Sequence, residues 1–255
     1  MHNKALLLAT TEQRIRTVSE QYNTEISKHY AAYRPPIHQM ILNANLSSLP
    51  SFHVGVDVGC GTGVSTVALS EYCQTVRGVD PSESMIGQTL GTDRISYSVG
   101  TGENIPAENG SVDIITFAGS LSYAKSEALV EEIKRVCAKN ATVLVYDFEV
   151  LLMDFMDMLG IAMNPVPSDY DHAINFSDIA GFHPANIHQG TLSLEVTSEQ
   201  LAHVLFSSST RYTKLVKAFG EENTFNEVVR KLTEISPTHR ISVNTYSSMY
   251  NVNRD

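Results

Sequence analysis

Residues 54–63 read Val54-Gly55-Val56-Asp57-Val58-Gly59-Cys60-Gly61-Thr62-Gly63, and Val64-Ser65-Thr66-Val67-Ala68-Leu69 follows them. A short run rich in valine predicts a buried strand. The three glycines at alternate positions predict a tight turn, and the apolar spacing after them opens a helix. Glycines at such a turn let a ligand approach the backbone with no Cβ in the way. Strand, glycine turn and helix in that order put the loop at the carboxyl end of a central strand, where open α/β sheets bind ligands. The spacing is DxGxGxG. It departs from the dinucleotide fingerprint GxGxxG, because Val64 stands where the third glycine belongs. It departs from the phosphate-binding loop too, because no Gly-Lys-Ser/Thr follows.

Outward from the loop, further short runs rich in Val, Ile or aromatics stand at Thr75–Val79, Ile95–Val99, Val112–Phe117 and Thr142–Tyr146. Helical stretches at about 64–72, 82–90 and 124–138 separate them. This alternation predicts an α/β fold with a parallel sheet and helices on both faces. Upstream, residues 10–31 and 36–46 read as helices parted by Arg34-Pro35-Pro36, since proline disfavours helix in the residue before it and can open the next one. After Asp147 the rhythm breaks. Met153, Met156, Met158, Met163 and Asn164-Pro165-Val166-Pro167 predict a helix, a proline-rich loop and irregular structure. A strand is expected at Thr191–Val196. Thr197-Ser198-Glu199-Gln200 fits a capping box that opens a helix over 198–206. Another helix is expected at about 221–235, and Ile241–Val252 alternates as a last strand.

The chain has 255 residues, 42% hydrophobic and 18% charged, which suits a buried core and not a disordered chain. A formal charge of −10 disfavours a phosphate backbone as partner, so nucleic acid is not expected. Cys60, Cys73 and Cys137 are odd in number and widely spaced, so neither a disulfide framework nor a zinc site is expected. The apolar run Ala5–Ala9 is too short for a signal-peptide core, and no stretch approaches the ~20 apolar residues of a membrane span. The expectation is a soluble, cytoplasmic protein, with no membrane and no metal.

Three more signals accompany the glycine loop. Val79-Asp80-Pro81-Ser82 closes the next strand, with Asp80 17 residues after Gly63; an acidic residue there can accept hydrogen bonds from a ribose diol. Gly100-Thr101-Gly102-Glu103-Asn104-Ile105-Pro106 follows the third strand. Ser111 to Ser122 forms a strand running into the small residues Ala118-Gly119-Ser120. In this order and spacing, roughly over residues 27–147, the chain resembles the class I S-adenosylmethionine-dependent methyltransferases. Tyr30-Ala31-Ala32-Tyr33-Arg34-Pro35 is similar to a segment of the small-molecule, trans-aconitate-methyltransferase-like group, and Leu194-Glu195-Val196-Thr197 adds weaker support.

The resemblance implies a doubly wound, Rossmann-like, seven-stranded and mostly parallel sheet with an antiparallel last strand, N-terminal helices and an inserted lid. It implies a single domain over 1–255: an N-terminal helical cap (1–50), a cofactor-binding core (51–147), an acceptor-pocket or lid region (148–235) and a final strand (236–255). S-adenosylmethionine, with an ammonium, a sulfonium and no pyrophosphate, is the implied cofactor, and S-adenosylhomocysteine the product. Gly59, Gly61 and Gly63, with Cys60 between them as a small filler, would pass the methionine and ribose. Asp57 would sit near the ammonium, directly or through water. Asp80 would hold the ribose, with Pro81, Ser82 and Met85 near the adenine and Thr101, Gly102 and Glu103 on its other side. Thr101 stands where that family often has an acidic residue. Ala118, Gly119 and Ser120 would floor the sulfonium. Tyr30 and Arg34 would close the site, Arg34 pairing with the methionine carboxylate as a forked donor.

Other features carry less. His183 and His188, in a stretch with His172, read as loop histidines, and the three are the nearest candidates for a general base or an acceptor contact. Ser207 and Ser208 are further acceptor-side candidates. Asn164-Pro165 comes too late to be the Asn-Pro-Pro-Tyr-like turn of amide or nucleobase methyltransferases, and no Pro-Cys nucleophile is present. No catalytic residue is assigned, because aligning an acceptor with an already activated methyl requires orientation above all. The expected reaction is methyl transfer to a small-molecule acceptor, through a carboxylate or a hydroxyl, by a monomer or homodimer. A catalytically silent binder of the same fold, a nicotinamide-dependent oxidoreductase and a macromolecular methyltransferase are the rival readings.

Overall fold

The valine-rich run before the glycines forms strand β1 (Phe52–Val58) in the computed structural model, which describes residues 26, 28, 29, 32–164 and 170–252. β2 (Cys73–Asp80), β3 (Ile95–Val99), β4 (Val112–Ala118) and β5 (Cys137–Leu151) follow. β1 lies between β2 and β4, β2 pairs with β3, and β4 with β5, all in parallel. β6 (Phe182–Thr197) and β7 (Thr238–Val252) complete a seven-stranded sheet of order β3-β2-β1-β4-β5-β7-β6, mostly parallel with an antiparallel last strand. The order reverses between β1 and β4, so the crevice outside their carboxyl ends is the switch point where such sheets take ligands.

The chain divides into two compact units. The first comprises Pro36–Glu149, Pro167–Leu192 and Val243–Asp255. It holds α1 (Ile37–Leu46), α2 (Val64–Leu69), α3 (Glu83–Ile86), α4 (Leu121–Ala124) and α5 (Glu127–Val136). In α5 the buried positions Leu129, Val130, Ile133 and Val136 fall on one helical face. They join Val56, Val58, Ile115 and Phe117 of the sheet in one apolar cluster. That packing fixes the height of the β1 and β4 tips against the helix layer.

The second unit comprises Met1–Pro35, Val150–Val166 and Ser193–Ser242. It holds α6 (Met153–Met158), α7 (Ser198–Phe206), α8 (Ser209–Phe219) and α9 (Thr224–Ile235). The capping box forms: the Gln200 N–H donates to Thr197 Oγ1 at 3.2 Å, and the Thr197 N–H donates to Gln200 Oε1 at 2.9 Å.

Several boundaries differ from expectation. The stretches at 64–72 and 82–90 stop early, at Leu69 and Ile86. That at 124–138 is two helices, because Ser126 caps α5 by accepting the Leu129 N–H at 3.1 Å. α8 was not expected; Leu215 is its only buried residue. β5 and β6 start well before Thr142 and Thr191; Asn140, with a φ of 62°, and a register shift near Val112 disguise the first part of β5. Of the helix expected at 10–31, only Ile26, Lys28 and His29 lie within the described residues, and they are helical. No helix among the described residues is long and apolar enough to cross a membrane.

Candidate functional site

The glycine loop leans on the neighbouring strand: the N–H groups of Gly59 and Cys60 donate to the Val79 carbonyl at 2.8 and 3.2 Å. Gly59 has a φ of 71°, and a Cβ there would lie 2.4 Å from the Ser120 Cβ. Only glycine lets the β1 turn and the β4 turn meet this closely. Ser120 ties the two together by donating its hydroxyl to the Val58 carbonyl.

Asp80, at the tip of β2, is nearly buried. Its Oδ2 accepts the Gly61 N–H at 2.8 Å and its Oδ1 accepts the Ser82 N–H at 2.9 Å. Gly61, at a φ of 54°, thereby turns its amide onto the carboxylate. The helix cap of α3 is the Ser82 hydroxyl, which accepts from Met85. A carboxylate offers about four lone-pair sites, so Asp80 keeps acceptor capacity beyond these two bonds.

Asp57 is fully buried beneath the loop. Ser65 and Thr66 donate to its Oδ2 at 2.6 and 2.7 Å, and Thr116 to its Oδ1 at 2.9 Å. Burial pushes its carboxyl up, the three hydroxyls pull it back, and the charge of Asp80 raises it further. It is the pin that joins β1, β4 and the first turn of α2.

Around these groups opens a cavity of about 600 Å³, within the range of small-ligand sites. Of the residues singled out in the sequence, Gly59, Gly61, Asp80, Pro81, Ser82, Met85, Thr101, Gly102, Glu103, Ala118, Gly119 and Ser120 line it. Val58, Gly100, Tyr123 and Ala124 line it as well and were not singled out. Asp57 and Gly63 do not line it; Gly63 faces Tyr97, whose hydroxyl donates to the Gly63 carbonyl at 3.4 Å. Cys60 does not either. It is buried, and its thiol is pushed up to about 12, first by burial and then by the charges of Asp57 and Asp80. Tyr30 lies outside the described residues, and Arg34 belongs to the second unit. The charged side chains in the lining are Asp80 and Glu103, both acidic; the Glu103 carboxylate also accepts the Ser126 hydroxyl at 2.6 Å. No group of three potential metal ligands occurs among the described residues.

Beside the Gly119 wall stands a polar cluster. The Tyr170 hydroxyl lies 2.8 Å from the Gly119 carbonyl and 2.9 Å from Asp147 Oδ2. His172 Nδ1 is 2.8 Å from the same Oδ2, and the Phe148 N–H donates to Asp147 Oδ1 at 2.7 Å. Asp147 follows the paired part of the β5 run, much as Asp57 and Asp80 stand next to or at the ends of β1 and β2, and this similar position was the available sequence signal for it.

The methyltransferase-domain family matches residues 56–145. A Dictyostelium discoideum protein named as a methyltransferase is 30% identical over 132 residues, 49% of this chain and 48% of its own length. The Saccharomyces cerevisiae protein CRG1, named as an S-adenosylmethionine-dependent methyltransferase, is 25% identical over 149 residues, 53% of this chain and 50% of its own length. The chain thus spans about half the length of the curated relatives it matches. A solved structure from Anaeromyxobacter dehalogenans, described as a type II methyltransferase, shares the fold with a TM-score of 0.59 and 18% identity, over 87% of this chain and 97% of that one. The acidic, glycine-walled cavity at the switch point fits S-adenosylmethionine, the cofactor of this class. The family match runs over the glycine loop and first strands, so residues 56–145 are similar to a methyltransferase domain.

Proposed function

We propose that this protein transfers a methyl group from S-adenosylmethionine to a small-molecule acceptor, at a carboxylate or hydroxyl oxygen, in a cytoplasmic setting and as a monomer or homodimer. One observation carries the reading: Asp80 closes a glycine-walled cavity with acceptor capacity left over, and every charged side chain lining that cavity is acidic. Such a lining favours a cationic ligand with a diol. When bound, the cofactor supplies a methyl already activated by its sulfonium. The chain's part is to bind, orient and exclude water, and orientation of reactants can contribute up to ~7–11 kcal/mol.

In this reading Asp80 takes the ribose, while Pro81, Ser82, Met85, Thr101, Gly102 and Glu103 border the adenine. Gly59 and Gly61 pass the methionine, Ala118, Gly119 and Ser120 lie under the sulfonium, and Asp57 acts by holding the loop in shape. Isothermal titration separates the rival cofactors: S-adenosylmethionine and S-adenosylhomocysteine bind, and NAD does not. Incubation with S-adenosylmethionine and a metabolite pool then yields S-adenosylhomocysteine. Binding of NAD in place of both would overturn the reading. Binding without turnover would leave a silent binder.

A further inference from the structure

We propose that His172 is the general base of this site, oriented by Asp147, and that the acceptor is therefore a neutral hydroxyl and not a carboxylate. The inference rests on the methyl-transfer reading and deepens it.

The geometry fixes the tautomer. An ionised carboxylate is an acceptor only, so the 2.8 Å contact between His172 Nδ1 and Asp147 Oδ2 requires the proton on Nδ1. In the neutral ring Nε2 is then the bare nitrogen, the one that can take a proton. The ring is held on its faces as well: it stacks on Tyr246 at 5.4 Å with 13° between planes, and Tyr170 meets it edge-on at 4.7 Å. The imidazole is half-buried and stands next to Tyr170, outside the cavity lining itself.

The cluster adjoins the cavity through two lining residues. Tyr170 bonds the Gly119 carbonyl at 2.8 Å, and its ring lies 5.8 Å from that of Tyr123. Tyr170 is not the base. Burial, and then the hydrogen bond and charge of Asp147, push its phenol up to about 12, so it stays protonated and donates. Asp147 already faces the Phe148 N–H, the His172 Nδ1–H and the Tyr170 hydroxyl, whose single proton the Gly119 carbonyl also draws, so its part is to position the ring.

The step balances simply. The acceptor oxygen forms a bond to the methyl carbon as the carbon–sulfur bond breaks and its electron pair goes to sulfur. The acceptor's proton passes to His172 Nε2, making an imidazolium beside Asp147, and later leaves to water. A carboxylate acceptor has no proton to give, and the acidic lining would repel it.

The test uses the full chain loaded with S-adenosylhomocysteine and a separate turnover assay. Nitrogen-detected NMR of the loaded chain should show His172 protonated at Nδ1 and bare at Nε2, and Asp147→Asn should move that proton. With S-adenosylmethionine, a set of simple phenols and aliphatic alcohols should be methylated, and the matching carboxylic acids should not. His172→Ala should lower kcat at least ~100-fold, the lower end for general-base catalysis. It should keep cofactor Kd within about twofold and recover activity on addition of free imidazole, which a merely structural role would not allow. His172 protonated at Nε2, methylation of the acids alone, methylation of neither set, or full activity in His172→Ala would each overturn the proposal. Failure of the wild-type chain to bind the cofactor at all would instead overturn the methyl-transfer reading on which it rests.

Discussion

Replacing Asp80 by alanine separates two jobs that one carboxylate performs. Its oxygens accept the Gly61 and Ser82 amides at 2.8 and 2.9 Å, both hydrogen bonds to a charged group. Such bonds contribute about 1.5–3 kcal/mol each, and water entering from the cavity restores part of the loss. The expected cost of folding is thus about 2–4 kcal/mol. At ~2–4 °C per kcal/mol for a chain of this size, the melting temperature should fall by roughly 5–15 °C. In the proposed reading, the remaining lone pairs go to the ribose. Losing them should weaken S-adenosylhomocysteine binding by about 1–3 kcal/mol, or ~5–150-fold. Calorimetric melting measures the first effect, and isothermal titration at a temperature where the variant is folded measures the second. A variant that melts lower but binds as tightly as wild type would show that Asp80 only braces the loop, and the ribose role would be withdrawn.

Three further outcomes are expected. Gly59→Ala places a Cβ 2.4 Å from that of Ser120 at a φ of 71°, so denaturant titration should show a loss of about 2 kcal/mol or more, partly returned by Ser120→Gly in the same chain. Thr197→Ala removes the capping-box hydroxyl of α7 and should cost about 1 kcal/mol in the same assay. Glu132 is nearly buried, accepts the Ile105 N–H at 2.7 Å and pairs with Arg135 at 2.7 Å; the Arg135 hydrogen bond is the main reason its carboxyl sits below the usual range. A lowered carboxyl stabilises the fold above its unfolded value of ~4.3 and loses that contribution as pH falls through the folded value. Glu132→Gln should therefore be less stable than wild type at pH ~7, and the gap in denaturation midpoints should close toward pH ~3; a gap that widens in acid would contradict the assignment.

The core of the sheet was legible because its strands are short, apolar and bounded by glycine or Asp-Pro. Gly59, Gly61 and Asp80 carry their role in their spacing, since the backbone turn and the carboxylate position are both local properties. The capping box at Thr197 was local in the same way. What escaped was non-local or faintly patterned. α8 buries one residue, so little of it belongs to a core that the sequence could announce. The early starts of β5 and β6 depend on partners elsewhere in the sheet. Asp57 carries the expected residue type, but its three hydroxyl donors come from two different elements, and only the fold shows that they consume it. His172 was one of three histidines named as candidates for a general base, with nothing in the sequence to choose it over His183 and His188; its pairing with Asp147, 25 positions away, is a tertiary fact.

Cys60 bears on the safety of the site. A loop built for an alkylating ligand contains a sulfur nucleophile, and only the thiolate form of cysteine attacks. Burial first, and then the charges of Asp57 and Asp80, push this thiol up to about 12, so it stays protonated at neutral pH. Burial, reinforced by the two aspartates that shape the turn, thus keeps this sulfur protonated and outside the cavity lining.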